Sequence, residues 1–363
     1  MDCSYFNDGR CTSCSLLRTP YEQQVADKDA RAHALVPAAQ WLAPTESAEL
    51  HFRTKSKLVV GGTTHEPTLG ILGQDLSDCR IVDERVLTAY PALKGFIRAA
   101  RLVPYDVGSR RGELKNILVT VAPGGGLMIR FVLRSTESLL RIRKHLPSLQ
   151  DALPALHVAT VNLLPAHAAL VEGEEEIVLT EADALPHGLL QVLPRSFLQT
   201  NTAIAESLYA QGKRWVDEAN PSTVWDLYCG VGGFGLHVAG DRRTVIGVEL
   251  SQDAVDSANR AAAQNGADAR FVAADATDWA RKQDASPDLV IVNPPRRGIG
   301  PELAGWLEES GAQTVLYSSC NAESLAKDLE LMPSLQPVKA QVFDMFPHTS
   351  HFETLVLLAR LAG

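Results

Sequence analysis

From about residue 200 onward the chain repeats one pattern, a short apolar run rich in β-branched residues followed by a helix-forming stretch. The runs are TVWDLYC, RTVIGVEL, ARFVAAD, DLVIVN, TVLYSSC and finally ETLVLLARL. Strands alternating with helices imply an α/β fold built on a doubly wound, mostly parallel sheet, with ligands bound outside the carboxyl ends of the strands. No other feature of the sequence restricts the fold as strongly.

The preceding half reads differently. Residues 1–45 hold three cysteines in an irregular opening and then a helix over roughly 21–34, by the spacing of apolar and charged positions. Residues 50–195 look β-rich. KNILVTVAPGGGLMIRFVLRS is a hairpin, two alternating runs around a Pro/Gly loop, and a charged helix near 136–146 and the acidic tract EGEEE follow. The expected organisation is an amino-terminal cysteine-bearing region over 1–90, closed by Cys79, an overlapping β-rich domain over 50–195, and the α/β domain over 196–363. A chain of 363 residues with 45% hydrophobic content can bury cores for two or three domains.

Composition narrows the setting. No apolar run reaches the length of a membrane span, and the polar start MDCSYFNDGR lacks the basic and apolar blocks of a signal peptide, so a cytoplasmic protein without a membrane partner is expected. Six cysteines in a reducing compartment point to metal binding or catalysis rather than disulfides. The net charge of −9 argues against a general nucleic-acid coat, but it is uneven: residues 1–195 sum to −1 and the remainder to −8, while 95–145 carry a local +7.

The first run of the α/β part leads into DLYCGVGGFGLH. Gly230, Gly232 and Gly235 satisfy G-x-G-x-x-G, and Glu249 ends the next strand nineteen residues after Gly230. A dinucleotide would place its pyrophosphate on the helix start and Glu249 on a ribose hydroxyl. S-adenosylmethionine would use the same backbone approach and the same carboxylate. Asp226, just ahead of the loop, suits a cationic sulfonium better than a pyrophosphate. Asp275, ending the third run, would face an adenine edge or simply cap the following helix.

The fourth run ends in NPPRRGIG. Asn293 followed by two prolines gives a rigid loop that presents acceptors above the sheet, an arrangement similar to base-modifying methyltransferases and without use in nicotinamide chemistry. Cys320 ends the fifth run. Carbon 5 of uracil is too weak a nucleophile to take a methyl group unaided, but addition of a thiolate at carbon 6 gives it carbanion character. The carbon-5 proton must then be removed before the thiol can leave, which requires a base nearby. FPHTSHFETLVLL supplies Glu353, with His348 and His351 just before it. Cys229, inside the glycine loop, reads as a small buried hydrophobe.

At the amino end Cys3, Cys11, Cys14 and Cys79 form C-x7-C-x2-C-x64-C with no nearby histidine. Four thiolates suit tetrahedral zinc or a [4Fe–4S] cluster, and spacing alone favours zinc, the commoner structural metal.

SFLQTN, DLYCGVGGFGLH, NPPRRGIG, YSSCNAESLAKDL and FDMFPHTSHFETL together resemble the RNA uracil-5-methyltransferases of the TrmA, RlmC and RlmD group, over the whole chain. The resemblance implies a Rossmann-like methyltransferase domain preceded by a β-rich RNA-binding domain and an iron–sulfur region. It implies Cys320 as nucleophile, Glu353 as base, and Gln199, Tyr228, Gly233, Glu249 and Asn293 as contacts to S-adenosylmethionine. Gly233 stands where relatives can carry asparagine, leaving only a backbone contact, and Asn293 stands where many carry aspartate, a departure typical of the RlmC branch. CSYFNDGRCTSC and DLSDCRIVD resemble the cluster-bearing members, so the implied metal group on Cys3, Cys11, Cys14 and Cys79 is [4Fe–4S]. The tRNA-modifying branch lacks these cysteines and the RlmD branch carries an additional β-barrel module, so the resemblance is to the RlmC branch. Its implied partner is a flipped-out uridine in a loop of 23S rRNA, the uridine-747 site, and the implied state is a monomer. HFRTKSKLVV resembles the family's basic FRNK-like element. Arg110, Arg111, Lys115, Arg130 and Arg134, from the +7 block, are then expected to meet phosphate. Two other classes remain: an NAD-dependent oxidoreductase, which leaves Asn293, Cys320 and the four cysteines idle, and a non-catalytic iron–sulfur RNA-binding protein.

Overall fold

A computed structural model describes residues 1–71 and 73–361. It divides into two compact units, one of Met1–Thr12, Leu50–Gly188 and Val192–Thr202, the other of Ser13–Glu49, Leu189–Gln191 and Ala203–Gly363. Among the described residues no helix is long and apolar enough to cross a membrane.

The first unit is built on a seven-stranded sheet in the spatial order Gln74–Asp75, Pro67–Ile71, Lys55–Gly62, Leu114–Val121, Leu127–Leu133, Leu156–Leu163, Glu175–Val178. The expected hairpin is its centre, with Ile117 opposite Phe131 and Val119 opposite Ile129. Only Leu127–Leu133 and Leu156–Leu163 run parallel, because helix Leu139–Ala152 crosses between them. A second helix, Glu84–Ala99, lies within the stretch read as β-rich; Pro91 in its middle hides the helical pattern, while Asp83 caps its start by accepting from the Arg85 N–H. Val86, Leu93 and Ile97 of that helix, Ile142 of the other, and Ile117, Ile129 and Phe131 of the sheet form one core.

Of the five basic residues expected to meet phosphate, Arg130 and Lys115 are withdrawn into the folded unit. Arg130 is 2% exposed, its guanidinium held between Glu172 (2.5 Å) and Glu176 (2.7 Å). Lys115 is buried and donates to the Ala166 carbonyl (2.7 Å), and Arg134 pairs with Glu113 (2.9 Å). The EGEEE tract returns to the sheet through strand Glu175–Val178 and balances the positive charge that the linear sequence leaves open. Arg110 and Arg111 remain exposed.

The second unit contains an eight-stranded sheet in the order Gln40–Trp41, Leu335–Phe343, Glu353–Arg360, Thr314–Ser319, Leu289–Val292, Thr223–Leu227, Thr244–Glu249, Ala269–Ala273. Glu353–Arg360 runs antiparallel to both neighbours and the other strands share one direction. Both faces are covered, as such uniformly apolar strands require. Tyr209 and Trp215 of helix Thr202–Ala219 and Phe234 of helix Gly233–Val238 pack on Val224, Ile291, Leu316 and Leu355; Leu303 and Leu307 of helix Gly300–Glu309 and Leu325 of helix Ala322–Glu330 pack on Leu227, Val290, Val292 and Val356. Strand Thr223–Leu227, the first of the α/β series, is flanked by the second and the fourth. That is the topological switch point, where the crevice above an open sheet forms.

Residues 13–49 belong to this unit. Helix Tyr21–Leu35 is fastened to it by a buried ion pair from Lys28 Nζ to Asp344 Oδ1 (2.6 Å), with Tyr21 donating to Asp344 Oδ2 (2.7 Å). Strand Leu335–Phe343 was not legible in sequence, because Pro337, Lys339 and Gln341 break its apolar pattern and a register shift falls between Pro337 and Lys339.

Candidate active site

Cys320 follows strand Thr314–Ser319 at the turn into helix Ala322–Glu330. Asn321 starts that helix, its side-chain oxygen accepting from the Glu323 N–H (3.2 Å) while its Nδ2 donates to the Arg296 carbonyl (3.1 Å). Glu353 opens the neighbouring antiparallel strand. The pairing runs to Ser319 opposite Thr354, so the next step sets Cys320 against Glu353. The two residues are 33 apart in sequence and adjacent because the last strand inserts in reverse.

Glu353 is 2% exposed, and Oε2 has no hydrogen-bond partner among the described residues. Burial pushes its carboxyl up to about 8, against the Arg296 guanidinium, which favours the charged form. The Cys320 thiol is pushed up by its own partial burial and by Glu353, and is drawn down by the same Arg296. Arg296 therefore acts on both groups. The residues of NPPRRGIG alone give this arginine no role, and only the fold shows what it faces. The loop is pinned from below: Asp328 accepts from the N–H groups of Ile299 (2.9 Å) and Gly300 (3.3 Å) and from the Tyr317 hydroxyl (2.6 Å). Gly298, at φ +83°, comes so close that a Cβ would meet the Asp328 carboxylate at 2.2 Å.

The histidines beside Glu353 serve other ends. His348 is buried, with Nε2 2.9 Å from the Glu49 carbonyl and its N–H donating to Gln24 Oε1. His351 is exposed, and burial followed by the charges of Arg296, Lys28 and Arg31 holds its imidazole below the ordinary value.

At the switch point Asp226 is 1% exposed. Oδ2 accepts from the Gly235 N–H (2.7 Å), Oδ1 has no partner among the described residues, and burial raises its carboxyl to about 7. Glu249 accepts from Gly230 (3.2 Å) and Ser251 (3.0 Å) N–H groups, which fixes its carboxylate at the strand end. Gly230 has φ +54° with open space where a Cβ would stand, so the backbone there can be approached closely. Gly233 differs: a Cβ would meet the Tyr209 ring at 2.5 Å. Tyr228 sits half-buried at φ +63°, and Asn293 follows strand Leu289–Val292 with its N–H on the Leu227 carbonyl (3.3 Å). An unpartnered buried carboxylate oxygen, an open glycine turn and a carboxylate held at the next strand end form a cradle that fits a cationic, ribose-bearing cofactor. Asp275 caps helix Ala276–Arg281 through the Asp278 N–H (3.0 Å). Cys229 is buried and its thiol is raised well above the ordinary value, first by burial and then by Asp226 and Glu249. Gln199 lies in the first unit.

Of the four amino-end cysteines, Cys3, Cys11 and Cys79 lie in the first unit and Cys14 in a segment of the second. The Cys79 thiol is pushed up by burial and further by Cys11 and Cys3. Among the described residues no group of three or more His, Cys, Asp or Glu side chains is arranged to hold a metal ion.

A family model described as tRNA (Uracil-5-)-methyltransferase matches residues 189–361. The chain is 46% identical to the 23S rRNA (uracil(747)-C(5))-methyltransferase RlmC of Shewanella amazonensis, covering 100% of this chain and 99% of that one. It is also 46% identical to the RlmC of Yersinia pseudotuberculosis, covering 99% of each. The crystal structure of the Pyrococcus abyssi tRNA (uracil-54, C5)-methyltransferase with S-adenosyl-L-homocysteine aligns at a TM-score of 0.79 and 22% identity, over 96% of this chain and 86% of that one, so the two share a fold. With close to half its residues shared along its full length with two such relatives, and the thiol, carboxyl and glycine loop assembled at one sheet end, the chain belongs to the 23S rRNA (uracil-C5)-methyltransferase family, RlmC.

Proposed function

We infer that the protein transfers a methyl group from S-adenosylmethionine to carbon 5 of a uridine in 23S rRNA, the uridine-747 position in the name of its relatives. The observation that carries the mechanism is the placement of Cys320 and Glu353 at facing strand ends, with Arg296 acting on both. The cofactor supplies an electrophilic methyl group on a sulfonium. Cys320, as thiolate, adds to carbon 6 of the flipped-out uracil and pushes electron density to carbon 5. Arg296 stabilises that thiolate. After methylation Glu353 takes the carbon-5 proton, the C5–C6 double bond re-forms and the C6–S bond breaks, releasing Cys320. Mapping 5-methyluridine in 23S rRNA from cells with and without the protein tests the reading; an unchanged map overturns it.

Tyr228, Gly233, Glu249 and Asn293 are proposed to hold the cofactor, Glu249 through the ribose diol and Gly233 through its backbone; Gln199 is proposed from the family resemblance alone. Glu249→Ala is expected to weaken S-adenosylmethionine binding by about 1.5–3 kcal/mol, the range for a hydrogen bond to a charged group, measurable by calorimetry. Unchanged affinity would take Glu249 out of the site.

The same resemblance proposes a [4Fe–4S] cluster on Cys3, Cys11, Cys14 and Cys79, supported by an all-thiol donor set in which two members already act electrostatically on a third. Polar methyl transfer moves no electron, so the proposed cluster stays outside the chemical step, with a structural, RNA-positioning or redox-sensing part. Anoxically purified protein should be brown with about four irons per chain; stoichiometric zinc without visible absorbance would refute it. Exposed Arg110 and Arg111 are the proposed phosphate contacts of the β-rich unit. A monomer acting in the cytoplasm completes the proposal.

A further inference from the structure

Among the buried oxygens of the second unit that lack a hydrogen-bond partner among the described residues, the Ser318 hydroxyl and Oε2 of Glu353 share one face of the sheet on paired strands. In the antiparallel pair Ser318 is opposite Leu355 and Ser319 opposite Thr354. Directly opposed side chains point to the same face and alternate along each strand, so Ser318, Leu355 and Glu353 share one face. Leu355 and the neighbouring Leu316 on that face pack with Tyr209 and Phe234, whereas Tyr317 and Val356 pack on the other side. Ser318 and Glu353 are thus diagonal neighbours, a separation that a hydroxyl and a two-methylene carboxylate can close. Ser318 is fully buried, so solvent does not satisfy its hydroxyl.

We propose that Ser318 is a positioning residue for the general base, its hydroxyl donating a hydrogen bond to the Glu353 carboxylate when that group is ionised. The proposal rests on the reading of Glu353 as the base. The charged and titratable groups around Glu353 leave room for such a donor. Arg296, from the loop after Leu289–Val292, favours the carboxylate. Cys320, just past the paired strand, and Tyr209 on helix Thr202–Ala219 oppose it whenever they are ionised. On the other neighbouring strand Phe343 pairs with Glu353, and the next residue, Asp344, is matched by Lys28. His351, two residues earlier, is exposed and held below its ordinary value. One cation at the loop is the sole favourable charge among these, and a hydroxyl aimed at Oε2 supplies a second favourable contact without adding charge to the site.

The test is the pH dependence of covalent adduct breakdown in single turnover, with a 23S rRNA transcript and S-adenosylmethionine, for the parent, Ser318→Ala and Ser318→Thr. The midpoint in Ser318→Ala is expected to move up by about one pH unit, so that breakdown slows about tenfold on the acid side and reaches the parent plateau at high pH. Ser318→Thr should restore the parent profile. Thermal denaturation separates this from a packing effect, because losing a buried hydroxyl with no partner costs the fold little, and Ser318→Ala should melt no lower than the parent. A Ser318→Ala profile superimposable on the parent's overturns the proposal, whatever its melting temperature. Normal turnover by Glu353→Gln would instead remove the base assignment, and the proposal with it.

Discussion

Cys320→Ala is expected to abolish methylation of 23S rRNA and to leave no protein–RNA adduct on denaturing electrophoresis. The expected loss is on the order of 10⁴–10⁶-fold, the scale for removing a covalent nucleophile from an enzyme whose other parts stay in place. The effect should be large because the proposed scheme has no non-covalent substitute: without sulfur at carbon 6, carbon 5 is not made nucleophilic. Cys229 cannot take over, being wedged beneath the glycine loop with its thiol driven well above the ordinary value. The fold should tolerate the change, since Cys320 is only partly buried and the helix after it is capped by Asn321. Binding of S-adenosylmethionine, measured by calorimetry, should be retained. Measurable 5-methyluridine from the variant would end the covalent scheme.

Glu353→Gln is expected to fail at a later step. Addition and methylation should proceed, but the glutamine cannot accept the carbon-5 proton, so the methylated adduct is expected to accumulate and to resist denaturation until nuclease is added. The pH dependence follows from the same residue. Its carboxyl is raised to about 8, so near neutrality it is largely protonated and the basic form appears as pH rises through that value. Adduct breakdown in the parent should accelerate with pH over this window and level off above it. For stability the sign is opposite: the folded protein holds this proton more tightly than the unfolded chain, whose carboxyl titrates near the ordinary 4.5. The group's contribution is therefore fully present below about 4.5 and is lost as pH rises towards 8, and at pH 8 the neutral glutamine variant should melt no lower than the parent. Normal turnover by Glu353→Gln, with trapped adduct from a His351 substitution instead, would move the base elsewhere.

Much of the α/β half was legible in the residues. Apolar runs of four to six residues separated by helices leave few alternatives, and four of the runs carry a candidate site residue at or next to the strand end: Asp226, Glu249, Asn293, Cys320. This legibility has a physical basis, since backbone hydrogen bonding and two-sided burial act on every strand locally and leave their mark in composition. The glycines could be assigned only in part. Gly230 and Gly233 look alike in sequence, yet one lies under open space and the other under the Tyr209 ring.

What sequence alone determined, then, was the set of chemical groups and the strand ends that carry them; what only the tertiary structure decided was which of them meet, and in what electrostatic surroundings. Cys320 faces Glu353 because the last strand inserts backwards between Leu335–Phe343 and Thr314–Ser319, and strand order is a long-range property that no local window contains. Arg296 gained a function from the same arrangement. Lys115 and Arg130 lost the one expected of them, because burial sets their charge against carbonyl and carboxylate partners in the folded unit. Charge counted along a chain ignores desolvation and pairing, and both exist only once the chain has closed on itself.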